Sequence, residues 1–246
     1  MNLLTFDFGN TRPHAALFRH GKLLEVGLLG EVEGWMKKHG LTFGDVSGVI
    51  SQVKTYESEM EPLLQQGLLC ERIKDYWRGE KFAGMPVHYA KTLGEDRLIE
   101  AWWAFKHFTT PTLLIDAGSF LTIDVVTKDG FVGGHILPGL KALSEMLSRG
   151  EQLAVGEFSS VGKELLSGEA LPHTTPEALA SGAIAYAALI QRLLLRWGIA
   201  QVVISGGDAG LVQAILGPLT PTLPLHVKGD LVHWALFEWY QRNIGG

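Results

Sequence analysis

Two short segments carry residue types that could bind phosphate. They are Asp7-Phe8-Gly9-Asn10 and Asp116-Ala117-Gly118-Ser119, and each follows an apolar, strand-like run. Glycine allows backbone N–H groups to turn toward an anion and allows the anion to approach closely. An aspartate at the end of a strand can hold Mg²⁺, directly or through water. For either segment alone, the residue types favour an ordinary hairpin turn.

The spacing around the two segments repeats. The repeat favours a shared phosphate-binding function and argues against two unrelated hairpins. Gly21 lies 14 residues after Asp7 (21 − 7), and Gly130 lies 14 residues after Asp116 (130 − 116). A second and a third strand-like run follow each turn, so we predict two strand–turn–strand–turn–strand units. We interpret the two turns as a phosphate clamp contributed by two facing domains.

Helical patterns separate and follow the repeated strands. The predicted elements are helices over 98–108, 176–197 and 231–242 and a buried strand over 201–205. The segment Thr109-Thr110-Pro111 ends the first helix and is the best candidate for a domain boundary. Strands that alternate with helices in a duplicated unit predict an α/β fold with domains at 1–110 and 111–246.

Composition and charge exclude several classes of protein. Hydrophobic residues make up 46% of the 246 residues, which predicts a packed core, and the net charge of −5 gives no basic surface for nucleic acid. Cys70 is the single cysteine, so no intrachain disulfide can form. With no basic leader and no membrane-length apolar run, we expect a cytoplasmic protein that does not contact a membrane. Neither a P-loop nor a Rossmann motif occurs.

The segment Gly94-Glu95-Asp96-Arg97 precedes the first predicted helix and has two interpretations. Thr92 and Glu95 fit a capping box, which makes Glu95 structural. Asp96 could be an acid that complements the helix dipole, or a base held next to a helix end that attracts anions. Arg97 could be a surface charge or a fork for a carboxylate. Local sequence alone favours the structural interpretation of Asp96.

Two glycine-rich segments, 133–139 and Gly206-Gly207, follow predicted strands. Each could be a plain loop or a place where the backbone approaches a ligand closely, and neither is specific by itself. The histidines show no metal-ligand spacing.

Taken in order, these segments resemble type III pantothenate kinase. The matching segments are Asp7 to Thr11, Gly94 to Arg97, Asp116 to Ser119 with Thr122 and Asp124, Gly133 to Gly139, Thr175 to Ala178 with Gly182, and Ser205 to Gly207. Each is common alone, but their order and spacing extend over nearly the whole chain. The resemblance implies the sugar-kinase, actin and chaperone-ATPase superfamily, in which two duplicated ribonuclease H-like domains hold ATP in the cleft between them.

The resemblance also implies a reaction and its cofactors. ATP would phosphorylate pantothenate to 4′-phosphopantothenate, the first step of coenzyme A biosynthesis. The expected cofactors are Mg²⁺ or another divalent cation, and K⁺ or NH₄⁺ as a monovalent cation. A homodimer whose pocket needs both chains is expected as well, and we expect the aromatic residues Trp102 and Trp103 to support it.

Residue roles carry over position by position. The residues assigned to ATP and phosphate are Asp7, Phe8, Gly9, Asn10, Thr11, Arg12, Pro13, His14, Gly118 and Ser119. The residues assigned to pantothenate are Tyr89, Gly94, Glu95, Asp96, Arg97 and Thr175. Asp96 is assigned as the proton acceptor, Asp116 as the monovalent-cation ligand, and Asp7 as a Mg²⁺ ligand, directly or through water. The chain departs from the family at Ser119-Phe120, where Thr-Ala is usual, and at Thr174, where Asn is frequent.

Two alternatives stay open on the sequence. One is another small-molecule kinase of the same superfamily, and the other is a non-catalytic regulatory homologue. The presence of Asp7, Asp96 and Asp116 favours a catalyst over a regulator.

Overall fold

A computed structural model describes residues 1–10, 12–53, 57–148 and 171–245, so Thr11 of the predicted phosphate segment lies outside the described residues. The chain forms two compact units, 1–107 with 230–246 (unit 1) and 108–229 (unit 2). The predicted division was 1–110 and 111–246. The contacts group the C-terminal 17 residues, 230–246, with unit 1 instead.

The secondary structure alternates between strands and helices. The strands are β1 (Asn2–Phe8), β2 (Pro13–Arg19), β3 (Lys22–Leu28), β4 (Ser47–Gln52), β5 (Leu69–Arg72), β6 (Trp77–Arg78), β7 (Lys81–Phe82), β8 (Met85–Pro86), β9 (Thr112–Ala117), β10 (Phe120–Thr127), β11 (Gly130–Pro138), β12 (Gln201–Ser205) and β13 (Leu225–Val227). The α-helices within the described residues are α1 (Val32–His39), α2 (Glu57–Gln65), α3 (Glu95–His107), α4 (Leu140–Ser148), α5 (Thr175–Ala180), α6 (Ile184–Trp197), α7 (Ala209–Leu219) and α8 (Leu231–Asn243). None of these helices is both long enough and apolar enough to cross a membrane.

Each unit contains a five-stranded mixed sheet with the same strand order. The order is β3-β2-β1-β4-β5 in unit 1 and β11-β10-β9-β12-β13 in unit 2. The central strand of each sheet pairs antiparallel with the strand that follows it and parallel with a strand from later in the chain. The predicted α/β class with duplicated domains is confirmed.

The sheet of unit 1 packs against helices on both faces, which explains why β1 reads as an almost continuous apolar run. One face packs against α1 and α2. The buried residues of this layer include Leu4, Phe6, Phe8, Leu17, Val32, Trp35, Met36, Met60 and Leu63. In unit 2 the corresponding core forms between β9, β10, β12 and the helices α6 and α7.

Helix α8 joins the opposite face of the unit 1 sheet, where it packs against α3 and β1. The ring of Phe237 stacks on Phe18 with centroids 4.4 Å apart. His233 Nδ1 lies 2.8 Å from Thr5 Oγ1. Burial lowers the pKa of His233 to about 3, so its ring is neutral at physiological pH. These contacts are the physical reason that the C-terminal residues belong to unit 1.

Trp102 and Trp103 lie in the same interface between α3 and α8. Both are buried within the single chain, and Trp103 Nε1 donates a hydrogen bond to Glu238 Oε1 at 3.1 Å. The expectation that they support a dimer surface is therefore wrong, since their rings already pack inside unit 1.

Candidate active site

The carboxyl ends of β1 and β4 meet at one edge of the unit 1 sheet. In this parallel pair Asp7 lies opposite Ser51, and Phe8 lies opposite Gln52. The Val53 N–H donates to the Phe8 carbonyl at 3.0 Å, which extends the pairing to the last residue before the turn. Asp7 Oδ1 is buried at this edge.

The other described residues of the first predicted phosphate segment lie between β1 and β2 or at the start of β2. Asn10 and Arg12 are exposed, and Gly9 is half-buried. Pro13 lies opposite Phe8, and His14 lies opposite Asp7, at the start of β2. The described residues of the segment thus run from the end of β1 to the start of β2, and these two strands pair antiparallel as predicted.

Helix α3 begins at the same edge, where hydrogen bonds from Glu95 hold the helix start to the end of β4 and to Arg72. Glu95 is 1% exposed. Its Oε1 accepts two hydrogen bonds from Arg72, 2.9 Å from Nε and 2.7 Å from Nη2, and its Oε2 accepts the Gln52 N–H at 3.1 Å. Burial raises the pKa of Glu95, and the hydrogen bonds from Arg72 oppose that rise.

The structural interpretation of Glu95 is right, but the capping box is wrong. Glu95 is the first residue of α3 and not the third, and its carboxylate bonds to the end of β4 and to Arg72. The bonds join the helix start to the sheet edge and not to Thr92.

Asp96 follows at the second position of α3, directly after the residue that bonds to the end of β4. Its Oδ1 accepts the Arg97 N–H at 2.7 Å. A Cβ on Gly94 would overlap Asp96 Oδ1 and would lie 3.7 Å from Val53 Cγ2. Glycine at position 94 therefore lets the carboxylate fold back over the helix start, where the N-terminal end of the helix stabilises a negative charge.

Arg97 and Tyr89, both predicted to contact substrate, lie together. The Arg97 guanidinium carbon is 5.5 Å from the centroid of the Tyr89 ring. Arg97 is buried, whereas Tyr89 is exposed. The face of an aromatic ring attracts a guanidinium and so restrains its position. The structure thus brings Tyr89, Gly94, Asp96, Arg97 and the Asp7 turn to one end of unit 1.

Unit 2 repeats the arrangement at the ends of β9 and β12. Asp116 lies opposite Ser205 in the parallel pair and opposite Thr122 in the antiparallel pair. The Ser205 hydroxyl is buried and donates to Asp116 Oδ1 at 3.3 Å. An acid and a hydroxyl therefore occupy the same register positions in both sheets.

The turn that holds Gly118 and Ser119 is packed by the backbone of the glycine-rich segments. The Gly118 N–H donates to the Phe120 carbonyl and the Gly139 N–H donates to the Ser119 carbonyl, both at 3.0 Å. Gly206 has φ +85°, and a Cβ there would lie 2.5 Å from both Asp116 Oδ1 and the Ala117 carbonyl oxygen. Segments 133–139 and 206–207 thus include glycines that approach the protein's own backbone closely.

Thr175, the remaining predicted substrate residue, is exposed at the start of α5. Thr174 and Glu177 form a reciprocal capping box there. Thr174 Oγ1 accepts the Glu177 N–H at 3.4 Å, and Glu177 Oε2 accepts the Thr174 N–H at 3.2 Å. Thr174 therefore performs the capping role that the frequent Asn could perform.

Within the described residues, no group of three or more His, Cys, Asp or Glu side chains could hold a metal ion. Mg²⁺ suits a different donor set, since it is usually held by one or two carboxylates with water and substrate phosphates. The buried Asp7 oxygen fits that requirement. Asp116 and its neighbour Ser205 offer oxygen donors that fit a monovalent cation.

Sequence reasoning missed two residues of these sites, Ser51 and Arg72. Ser51 carried a signal, because Val49-Ile50-Ser51 repeats Val203-Ile204-Ser205 at the end of the equivalent strand. Arg72 carried none, because it ends a strand 23 residues before its partner Glu95.

Comparison with solved structures places the fold in a known class. A Campylobacter jejuni protein described as a Baf family transcriptional activator aligns with a TM-score of 0.64 at 18% identity, covering 99% of this chain and 100% of that one. A Sinorhizobium meliloti protein described as a 2-dehydro-3-deoxygalactonokinase aligns with a TM-score of 0.56 at 12% identity, covering 98% and 96%. The chain therefore shares its fold with these two proteins.

Sequence comparison then identifies the family. The model of the type III pantothenate kinase family matches residues 3–196, so the chain belongs to that family. Type III pantothenate kinases from Thermomicrobium roseum and Nocardia farcinica are 28% and 29% identical, and each alignment covers 98% of this chain and 97% of the relative. One from Rhodopirellula baltica is 34% identical over 152 residues, 59% of this chain and 55% of the relative.

Proposed function

We propose that this protein phosphorylates pantothenate with ATP to give 4′-phosphopantothenate, the first step of coenzyme A biosynthesis. Membership of the type III pantothenate kinase family gives the reaction. The observation in the fold that carries the proposal is Asp96, an acid held by Gly94 and Glu95 at the helix start next to the Asp7 turn.

Asp96 is the proton acceptor in this proposal. The primary hydroxyl of pantothenate attacks the γ-phosphorus in line, a new O–P bond forms, and the bond from the γ-phosphorus to the β,γ-bridging oxygen breaks to release ADP. The hydroxyl proton passes to an Asp96 carboxylate oxygen. Phosphoryl transfer passes through a loose transition state, so positioning of the two substrates and charge neutralisation contribute more than early proton removal.

Backbone donors and a divalent cation would supply the neutralisation. Residues 7–14 and Ser119 are the proposed phosphate contacts. The exposed polar side chains of Asn10, Arg12 and Ser119, next to strand ends, support this proposal. Gly118 acts by fixing the turn, since its N–H is bonded to the Phe120 carbonyl. Asp7 would hold Mg²⁺, directly or through water, and the bound ion would neutralise charge on the phosphates.

The substrate side of the site would use the residues around α3 together with Thr175. Arg97, fixed by Tyr89, is suited to hold the pantothenate carboxylate, which would place the far hydroxyl near Asp96. Glu95 contributes by fixing the start of α3, because both of its carboxylate oxygens are bonded within the protein. We assign Asp116 to a monovalent cation, K⁺ or NH₄⁺, and propose a homodimer in the cytoplasm.

The decisive experiment uses the purified full chain with ATP, MgCl₂, KCl and pantothenate, and detects 4′-phosphopantothenate by mass spectrometry. We expect product from the wild type and almost none from Asp96→Asn. A parallel reaction with a 2-dehydro-3-deoxy sugar acid tests the rival kinase activity. Product from the sugar acid alone would replace the proposal, and the absence of ATP turnover with either substrate would indicate a non-catalytic homologue.

A further inference from the structure

Ser51 is a buried hydroxyl at the edge where the proposed phosphate site begins. Its side chain is 0% exposed, and its Oγ has no hydrogen-bond partner among the described residues. Buried hydroxyl groups are nearly always paired in folded proteins, because the unpaired state destabilises the fold. An unpaired hydroxyl at a functional edge therefore requires an explanation.

Unit 2 supplies the explanation through its equivalent residue. Ser205 occupies the same register position relative to Asp116 that Ser51 occupies relative to Asp7. The Ser205 hydroxyl donates to Asp116 Oδ1 at 3.3 Å. Register partners in a parallel pair point to the same face of the sheet, so Ser51 and Asp7 are side-by-side neighbours there, as Ser205 and Asp116 are.

We propose that Ser51 is a positioning residue that acts through Asp7. When a nucleotide with its divalent cation binds, the Ser51 hydroxyl donates a hydrogen bond to the Asp7 carboxylate and fixes the orientation of that carboxylate. The inference rests on the proposed function, because that function assigns Asp7 to the phosphates and the divalent cation. Ser51 lies on β4, which pairs with β1 on the side away from β2, so the inference adds a residue from a second neighbouring strand.

The energetic consequence distinguishes this role from a structural one. Without nucleotide, the hydroxyl lowers stability because its hydrogen bond is not made. Alanine at position 51 should therefore leave the melting temperature of the free protein unchanged or raise it. Hydrogen bonds to charged groups are the stronger class, so the same substitution should weaken binding of magnesium-ATP roughly tenfold.

The experiment measures melting temperature of the free protein and calorimetric binding of magnesium-ATP in the absence of pantothenate. It compares the wild type with Ser51→Ala, Asp7→Asn and the double variant. If Ser51 acts through Asp7, Ser51→Ala has little further effect in the Asp7→Asn background. Ser51→Thr, which retains a hydroxyl, should recover part of the affinity. Ser205→Ala is the matched control in unit 2 and should alter the dependence on K⁺ more than the dependence on Mg²⁺.

A lowered melting temperature with unchanged magnesium-ATP affinity would overturn the inference and leave Ser51 a packing residue. Additive effects in the double variant would overturn it as well. If the wild type binds magnesium-ATP but does not phosphorylate pantothenate, the proposed function fails while the Ser51 inference is still decided by affinity and melting temperature. If the wild type does not bind magnesium-ATP, both fail.

Discussion

The two units have sheets with the same strand order, but different groups surround the equivalent edge of each sheet. In both, an aspartate on the central strand lies opposite a serine on the neighbouring parallel strand. In unit 2 the edge is closed by glycine backbone, with Gly206 and Gly139 against the turn after Asp116. In unit 1 the edge is bordered by side chains at the start of α3, with Glu95 bonded to Arg72 and Asp96 beside it.

The difference begins at the residue after each serine. In unit 1 the strand continues, and Gln52 still pairs with Phe8. In unit 2 the chain turns at once, because Gly206 takes φ +85°. Because β4 continues to Gln52, the Gln52 N–H can bond to Glu95. Because the chain turns after β12, the backbone of Gly206 packs against Asp116. The same strand order therefore carries charged side chains at this edge in unit 1 and closely packed glycine backbone in unit 2.

Replacing Asp96 should have the largest effect, because it removes the one group in unit 1 proposed to take a proton. Asp96→Asn should lower turnover roughly 10²–10⁴-fold with little change in ATP affinity. Steady-state kinetics and ATP binding on the same sample measure both. Glu33→Gln is the matched control, since Glu33 is an exposed acid in the first turn of α1. It should reduce stability by only about 0.3–1 kcal/mol and leave turnover intact, and the same pattern in Asp96→Asn would contradict the assignment.

A methyl group at Gly206 tests the packed turn of unit 2. Gly206→Ala combines a left-handed backbone with overlap against the Ala117 carbonyl, so we expect a loss of roughly 3 kcal/mol in the free energy of unfolding. Urea denaturation measures it. Gly207→Ala is the adjacent control, because a Cβ there meets nothing within 4 Å. Equal stability of the two variants would show that the edge of unit 2 is not tightly packed.

Removing Arg72 tests the side-chain network of unit 1. Arg72→Met leaves the buried Glu95 carboxylate without its cation. We expect a loss of roughly 2 kcal/mol, below the usual value for breaking a buried ion pair because Arg72 is 40% exposed. The loss should be largest at neutral pH. It should shrink toward pH 4, because the variant raises the pKa of Glu95 further and protonation then removes the uncompensated charge.

Thermal unfolding between pH 4 and pH 8 measures that dependence. Arg78→Met, at an exposed arginine in the same unit, should show neither the loss nor the pH dependence. Addition of Glu95→Gln to Arg72→Met should restore part of the stability, because the buried charge is gone. A loss that does not change with pH would assign the effect to packing of the arginine side chain.

The smallest expected effect concerns Asp116 and distinguishes the two aspartates. Asp116→Asn should raise the K⁺ or NH₄⁺ concentration for half-maximal activity about tenfold, since it removes a charged ligand, and should leave the fold intact. Titration of activity with each cation and with Mg²⁺ measures it. Wild-type activity that is equal in sodium, potassium and ammonium would remove the basis for this assignment.

Much of the secondary structure could be predicted from local sequence. Strand β12 spans Gln201–Ser205 as predicted, and the helix predicted over 231–242 is α8. These elements could be predicted because the hydrophobic pattern of a buried strand or an amphipathic helix lies within a few neighbouring residues. The helix predicted over 176–197 is interrupted by a 3₁₀ turn at Ser181–Ala183, which separates α5 from α6.

The rest depends on contacts between residues far apart in sequence. The bond from Glu95 to the Gln52 N–H crosses 43 residues, and local patterns favoured a capping box at the same glutamate. The return of α8 to unit 1 brings His233 to Thr5, across 228 residues. A short stretch of sequence never contains both partners of such a contact. The domain division was therefore predicted from the sequence repeat, without the contacts that group 230–246 with unit 1.

The return of α8 also has a consequence for how the protein is made. Ribosomes add about 5–20 residues per second, so α8 is synthesised roughly 6–25 s after α3. During that interval the face of the nascent sheet that carries Phe18 and Thr5 lacks the helix that covers it in the finished fold. Unit 1 therefore completes its core only after residues 231–243 have been synthesised. A transcript truncated before residue 230 would yield a chain with that apolar face open to chaperones and proteases.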